Sequence, residues 1–131
     1  MLTKDILNAL AQYTKDMQHK VTLVLQTGEH SKRSELKDML SQFASISDKI
    51  TLEERDDSER FRSPVTFGLD VDGKATGIVF SGVPGGHEFN SFVLAVLQSG
   101  GVKLKLDESI QKMIKKVVNP LKFQVFVSLS C

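Results

Sequence analysis

The residue whose type most directly announces redox chemistry is the single thiol, Cys131, which closes a 131-residue chain in the segment SLSC. A thiol at the end of a strand, beside the N-terminus of a helix, has a lowered pKa and can attack disulfides. The residues up to Cys131 do not include such a helix, so the sequence by itself favours an ordinary exposed thiol over an activated one. The second candidate is Glu88, which follows the glycine-rich run GVPGGH. As a functional group it would accept a thiol proton during exchange, although its charge would also raise the pKa of a neighbouring thiol. The plainer alternative is a first-turn acid that stabilises its helix by roughly 0.3–1 kcal/mol. His19, His30 and His87 show no i, i+4 pairing, and with one cysteine they argue against a metal site. Glycine amides before a helix can cradle phosphate. This loop lacks the lysine and hydroxyl of a P-loop, and Glu88 would repel the anion.

Positioning these residues falls first to the stretch Gly82–Gly101. Gly82, Pro84, Gly85 and Gly86 supply turn conformations. Phe89, Phe92, Val93, Val96 and Leu97 then recur at helical spacing, and Leu94 and Ala95 widen the apolar face almost to a full turn. A helix this apolar is buried, and about three turns are too short to cross a membrane. Gly100 and Gly101 provide a left-handed stop. Upstream, Thr3 can cap a helix whose apolar face is Ile6, Leu7, Leu10, Tyr13 and Met17. Residues 20–26, KVTLVLQ, read as a buried strand, and Thr27-Gly28-Glu29 turns the chain. Ser31 or a neighbour caps a second helix with Leu36, Met39, Leu40 and Phe43 inward. KITLEER at 49–55 alternates like a strand near an edge, and Asp56 to Arg62 is a charged loop. PVTFGLDV, turning at Asp72-Gly73 into KATGIVFS, reads as a hairpin. Asp107 caps a fourth helix carrying Ile110, Met113, Ile114 and Val117, and Phe123 to Leu129 reads as a last strand.

The totals bound the function classes. A chain of this length is one domain by prior, able to bury roughly two-thirds of its unfolded surface. Forty per cent apolar and 25% charged residues describe a soluble globule. A net charge of +1 leaves no global field that would draw nucleic acid or a charged membrane. Lys103, Lys105, Lys112, Lys115, Lys116 and Lys122 make the last segment locally basic, which reads as a solvated helix face. The N-terminus has no signal-peptide core, and one cysteine forms no internal disulfide, which fits a reducing cytoplasm.

Helix, strand, helix, strand, hairpin and helix make a four-stranded mixed sheet with helices on both faces, the thioredoxin-like topology in the α/β class. A further helix and strand begin the pattern again. At this point the residues resemble a known family. GGHEFNSFVLAVLQSGG and the terminal SLSC, in this order and spacing, resemble the N-terminal redox domain of the flavoprotein subunit of bacterial alkyl hydroperoxide reductase, a tandem of two thioredoxin folds. The resemblance implies that residues 1–102 form a first fold whose redox motif is lost. Thr27-Gly28-Glu29-His30 stands where a thioredoxin places C-x-x-C. Residues 103–131 would begin the second fold, with Cys131 as the first cysteine of its own C-x-x-C and Glu88 near the boundary between the folds. In the family that pair passes electrons from a module holding FAD and using NADH to a peroxiredoxin partner, in peroxide detoxification. This sequence departs by ending at Cys131, without the resolving cysteine or any G-x-G-x-x-G, so no cofactor is expected in these residues and no turnover by them alone. The competing reading is a stand-alone thioredoxin-like protein-binding module, without catalysis, that uses a sheet edge or the 82–88 loop. The fold analogy also predicts a cis peptide at Ser63-Pro64, facing the former active-site turn.

Overall fold

A computed structural model describes residues 2–103 and 107–126 of the chain. Its elements are α1 (Lys4–Thr14), β1 (Val21–Gln26), α2 (Arg33–Ala44), β2 (Ile50–Arg55), β3 (Thr66–Val71), β4 (Lys74–Ser81), α3 (His87–Ser99) and α4 (Glu108–Lys115). The sheet order is β2-β1-β3-β4. β1 and β2 are parallel, with Val21 beside Ile50 and Gln26 beside Arg55, so a crossover must join them, and α2 supplies it. β3 runs antiparallel to β1, and β4 antiparallel to β3. The chain is therefore α/β with the expected mixed four-stranded sheet. Among the described residues no helix is long and apolar enough to cross a membrane.

Strand periodicity decides where the core lies. Val21, Leu23 and Leu25 of β1 and Phe67 and Leu69 of β3 share one sheet face, and the buried residues of α1, α2 and α3 join them in a single cluster. Phe92 is its centre. Its ring lies 4.9 Å from that of Phe43 on α2, 5.6 Å from Phe67 and 5.8 Å from Phe80 of the hairpin. The last two contacts are edge-to-face, the geometry that suits opposed ring quadrupoles. Leu94 departs from the sequence expectation: it points outward, 53% exposed, because α3 meets the core along Phe92, Val96 and Leu97, flanked by Phe89, Val93 and Ala95. The face of α1 is likewise rotated. Leu10, Thr14 and Met17 turn inward while Ile6 and Tyr13 remain 42% and 62% exposed. Thr14 is tolerated inside because its hydroxyl donates to the Ala11 carbonyl at 2.8 Å.

On the opposite face, the described residues place a loop rather than a helix over the sheet centre. Phe61, from the charged stretch 56–62, is buried against Gly68 of β3, where an added Cβ would meet the ring at 2.8 Å. Arg60 stacks over the same ring at 4.7 Å and reaches Asp70, a β3 carboxylate whose side chain is only 4% exposed. The buried acid is held from both sides, by Arg60 Nη1 at 3.2 Å and Arg55 Nη1 at 3.5 Å. Such compensation is what keeps a buried charge from destabilising a strand.

Ser63-Pro64 is trans, against the sequence expectation, since the described residues contain no cis peptide. The reason is local. The Thr66 N–H donates to the Ser63 carbonyl at 3.0 Å, so Pro64 occupies the second position of a β-turn, which suits trans proline, and β3 starts only at Thr66. Lys32, not Ser31, stands at the N-cap of α2 and makes no side-chain cap bond, whereas Thr3 and Asp107 cap α1 and α4 as expected. α4 buries none of its residues. Residues 123–126 pair with no strand, and 127–129 lie outside the described residues.

Because Phe92 packs against four other rings, those of Phe43, Phe67, Phe80 and Phe89, its truncation leaves a cavity that no single neighbour can fill. Phe92→Ala is expected to lose about 3–5 kcal/mol of stability in denaturant melts, the usual range for a large core truncation.

Candidate functional site

The strand registers bring four chain segments to one end of the sheet. Gln26 ends β1 beside Arg55 at the end of β2, Phe67 near the start of β3 pairs with Leu25, and Thr66 pairs with Ser81 at the end of β4. The 27–32 turn, the 56–65 loop, the 82–86 loop and the first turn of α3 therefore gather there. In a thioredoxin-like fold this is the redox end.

The turn itself is held without sulfur. Gln26 is buried and uses both ends of its amide: Nε2 donates to Asp56 Oδ1 at 2.8 Å, and Oε1 accepts the Asp57 N–H at 2.7 Å. Arg33, in the first turn of α2, donates to the Gln26 carbonyl at 2.9 Å and to Glu54 Oε1 at 2.6 Å. Lys37 adds a contact to the other Glu54 oxygen at 3.3 Å. The Arg33 hydrogen bond, with Lys37 assisting, holds the Glu54 carboxyl below its ordinary pKa, and the Arg60 hydrogen bond does the same for Asp57. The His30 ring accepts the Lys32 N–H through Nδ1 at 3.0 Å, turning back on its own loop. Pro64 faces this turn: a Cβ placed on Gly28, at φ +119°, would lie 2.9 Å from the Pro64 ring. The juxtaposition of proline and turn is kept although the peptide is trans.

Thr27, Gly28, Glu29 and His30 are all exposed, and none carries a thiol. These four residues can bind or pack, but none of them can exchange disulfides. Glu88 lies in the first turn of α3 at the same end, half-buried, its N–H donating to the Gly85 carbonyl at 3.1 Å. Burial pushes its carboxyl above the ordinary value. A proton-accepting role is thus compatible with its environment. Cys131 lies outside the described residues, so no distance joins the two candidates. Among the described residues no group of three metal-ligating side chains gathers.

No protein-family model matches the chain. Over all 131 residues it is 40% identical to the alkyl hydroperoxide reductase AhpF of Staphylococcus epidermidis strain RP62A and 38% identical to that of Staphylococcus aureus strain NCTC 8325. The chain is a homologue of the N-terminal part of AhpF. It spans about a quarter of the length of these relatives, 25% in each case. The crystal structure of the NTD_N/C domain of Enterococcus faecalis AhpF superposes with a TM-score of 0.75 at 35% identity, covering 87% of this chain and 60% of that one. A protein disulfide oxidoreductase from Aeropyrum pernix shares the fold, with a TM-score of 0.65 at 16% identity over 89% of this chain and 56% of the other.

The sequence alone reveals the glycine loop and α3, but sequence reasoning misses the anchoring of the 27–30 turn. Gln26 reads there only as the polar end of a strand. The available signal is Asp70: an acid inside an apolar strand requires a cation, and the arginines of DDSERFR are the nearest supply.

Two pH effects follow. Glu54 and Asp57 have depressed folded-state values, so their contribution is present above the ordinary carboxylate range and is lost as pH falls through the depressed values. Arg33→Gln removes the main cause at Glu54, so the variant should lose less additional stability than the parent between about pH 5 and pH 3 in acid melts. Glu88 has the opposite sign. With a raised folded value, the folded state binds the proton more tightly, so stability is greatest below the ordinary carboxylate pKa and declines as pH rises through the raised one. Glu88→Gln should therefore match the parent in acid and exceed it at pH 7 by about 0.5 kcal/mol, the scale of one partly exposed side chain, in paired thermal melts.

Proposed function

We propose that this chain is scaffold in a disulfide relay that passes electrons from a flavoprotein reductase to a peroxiredoxin during peroxide detoxification, and that it lacks a complete dithiol of its own. Residues 1–102 form the redox-silent first thioredoxin-like fold, and residues 103–131 open the second, with Cys131 as its first redox cysteine. The observation that carries this reading is the retained shape of an empty redox turn: T-G-E-H at the β1–α2 junction, Pro64 packed over Gly28, and no sulfur. The AhpF relatives, and the disulfide-oxidoreductase fold, support the relay context. Glu88 is the proton acceptor for the Cys131 thiol in this reading, with its burial-raised pKa as support. FAD and NADH belong to modules outside these residues. The one glycine loop that leads into a helix here places Glu88 in the first turn, and that carboxylate opposes a pyrophosphate. The cytoplasm is the compartment that suits a relay thiol of this kind.

The chemistry open to a single cysteine is limited. The Cys131 thiolate attacks a disulfide R–S–S–R, forms Cys131–S–S–R and releases one equivalent of R–S⁻. Freeing the second R–S⁻ requires another thiol to attack the mixed disulfide. Incubating the 131-residue chain with a model disulfide and no added thiol should give one adduct per chain, or a reducible Cys131-linked dimer, by non-reducing mass analysis. Release of more than one equivalent of R–S⁻ per chain above a Cys131→Ser control would overturn the assignment. In a protein extended through the next cysteine and the rest of the second fold, turnover should appear, and Glu88→Gln there should lower its rate and shift the thiol pKa.

A further inference from the structure

Two adjacent glycines after a helix read as a loose joint, yet the backbone around Gly100 and Gly101 is tied from several sides. The Gly100 N–H donates to Val96 O at 2.9 Å, the Gly101 N–H to Gln98 O at 3.0 Å, and the Val102 N–H to Leu97 O at 2.9 Å. With Gly101 at φ +92°, the last two bonds are the paired 5→2 and 6→1 bonds of a Schellman cap. Val102 completes the motif by packing against the core. A second set of contacts arrives from the α1–β1 connector. The Gly100 carbonyl accepts the Gln18 N–H at 2.7 Å and the His19 N–H at 3.0 Å.

Side chains close the joint further. A Cβ on Gly100 would stand 2.5 Å from Met17 Cε, and one on Gly101 would stand 3.1 Å from His19 Cδ2. His19 Nδ1 in turn lies 3.3 Å from Asp72 Oδ2, and the Asp72 N–H donates to the Lys20 carbonyl at 3.2 Å. Asp72 holds φ +50° at the first position of the β3–β4 turn, so the hairpin presents it to the connector. The end of α3, residues 17–20 and the hairpin tip are thus fastened together.

We propose that Met17, His19 and Asp72 form a clasp that makes Gly100–Gly101 a rigid joint, fixing the direction in which the chain leaves the first fold at Lys103. Glycine is needed here for close approach and for one left-handed residue, not for motion. His19 and Asp72 are positioning residues. Their importance for a relay rests on the function proposed above, since a fixed joint would hold the second fold, and its cysteine, in a constant relation to the first.

Amide hydrogen exchange followed by NMR on the 131-residue chain tests the clasp without any redox step. In the parent, the Gly101 and Val102 amides should exchange about 100-fold more slowly than an unstructured reference, as the closing bonds of a packed helix do. Asp72→Asn removes the carboxylate charge while keeping a residue that tolerates its backbone conformation, and His19→Ala removes the ring. Each should accelerate exchange at Gly101 and Val102 by about fivefold and leave Phe92 and Val96 unchanged. Parent exchange within about threefold of the reference would show a flexible hinge and overturn the proposal. So would protection at Gly101 and Val102 that neither variant alters. Uniform acceleration through Phe92 in His19→Ala would mean general destabilisation, and the Asp72→Asn result then decides. Failure here leaves the relay reading intact, and failure of the Cys131 adduct leaves the clasp intact.

Discussion

Phe92 is the contact on which the rest of the architecture depends. A helix of thirteen residues can be held against a four-stranded sheet only if its apolar line meets the sheet where the strands are fully covered, and Phe92 does so between Phe43, Phe67 and Phe80. The ring touches the crossover helix and both strands of the hairpin, so it joins the two halves of the topology. The parallel pair β1–β2 with α2 and the antiparallel pair β3–β4 with α3 meet along the β1–β3 ladder, in the Arg55–Asp70 pair and in the apolar cluster around this ring. Burial of one aromatic side chain at this junction therefore couples the position of α3 to that of the sheet, and with it the placement of Glu88 at one end and Gly100 at the other.

The two ends of α3 use glycine differently. At the start, Gly86 takes φ +57°, letting the chain enter the helix from the loop that Gly82 fastens by its N–H bond to Val65 O. At the end, Gly100 and Gly101 admit Met17 and His19 to near contact. One end of α3 faces the 27–32 turn and the other the point where the chain leaves toward Lys103, so a single helix spans the sheet between them.

Much of the fold is legible in the sequence because its signals are periodic. The near-continuous apolar run of KVTLVLQ, the Asp72-Gly73 turn and the apolar line of α3 each report a local constraint that the tertiary structure also obeys. Sequence and structure part where one position can be satisfied in two ways. Tyr13 fits an apolar stripe, but Thr14 lies inside because a hydroxyl can bond to its own helix. Pro64 sits opposite the turn, as the fold analogy requires, but a trans turn at Ser63–Thr66 achieves the same approach. The candidate site is legible only in its residues. Its anchoring depends on Gln26, Arg33 and Asp57, which are close in space and far apart in sequence, and nothing in a linear pattern pairs them.

The anchoring explains how a turn at this place keeps its shape without sulfur. In a turn stabilised by its own catalytic groups, replacing cysteines would release the loop. Here Gln26 is fixed through both amide atoms to the 56–57 backbone and side chain, Arg33 ties the helix start to the Gln26 carbonyl, and Pro64 covers Gly28. None of these contacts involves the side chains of residues 27, 29 or 30, so those positions can carry Thr, Glu and His without disturbing the sheet end. Shape and chemistry are held by different residues. A fold built this way keeps the outline it shares with a disulfide oxidoreductase whatever side chains stand at these three positions.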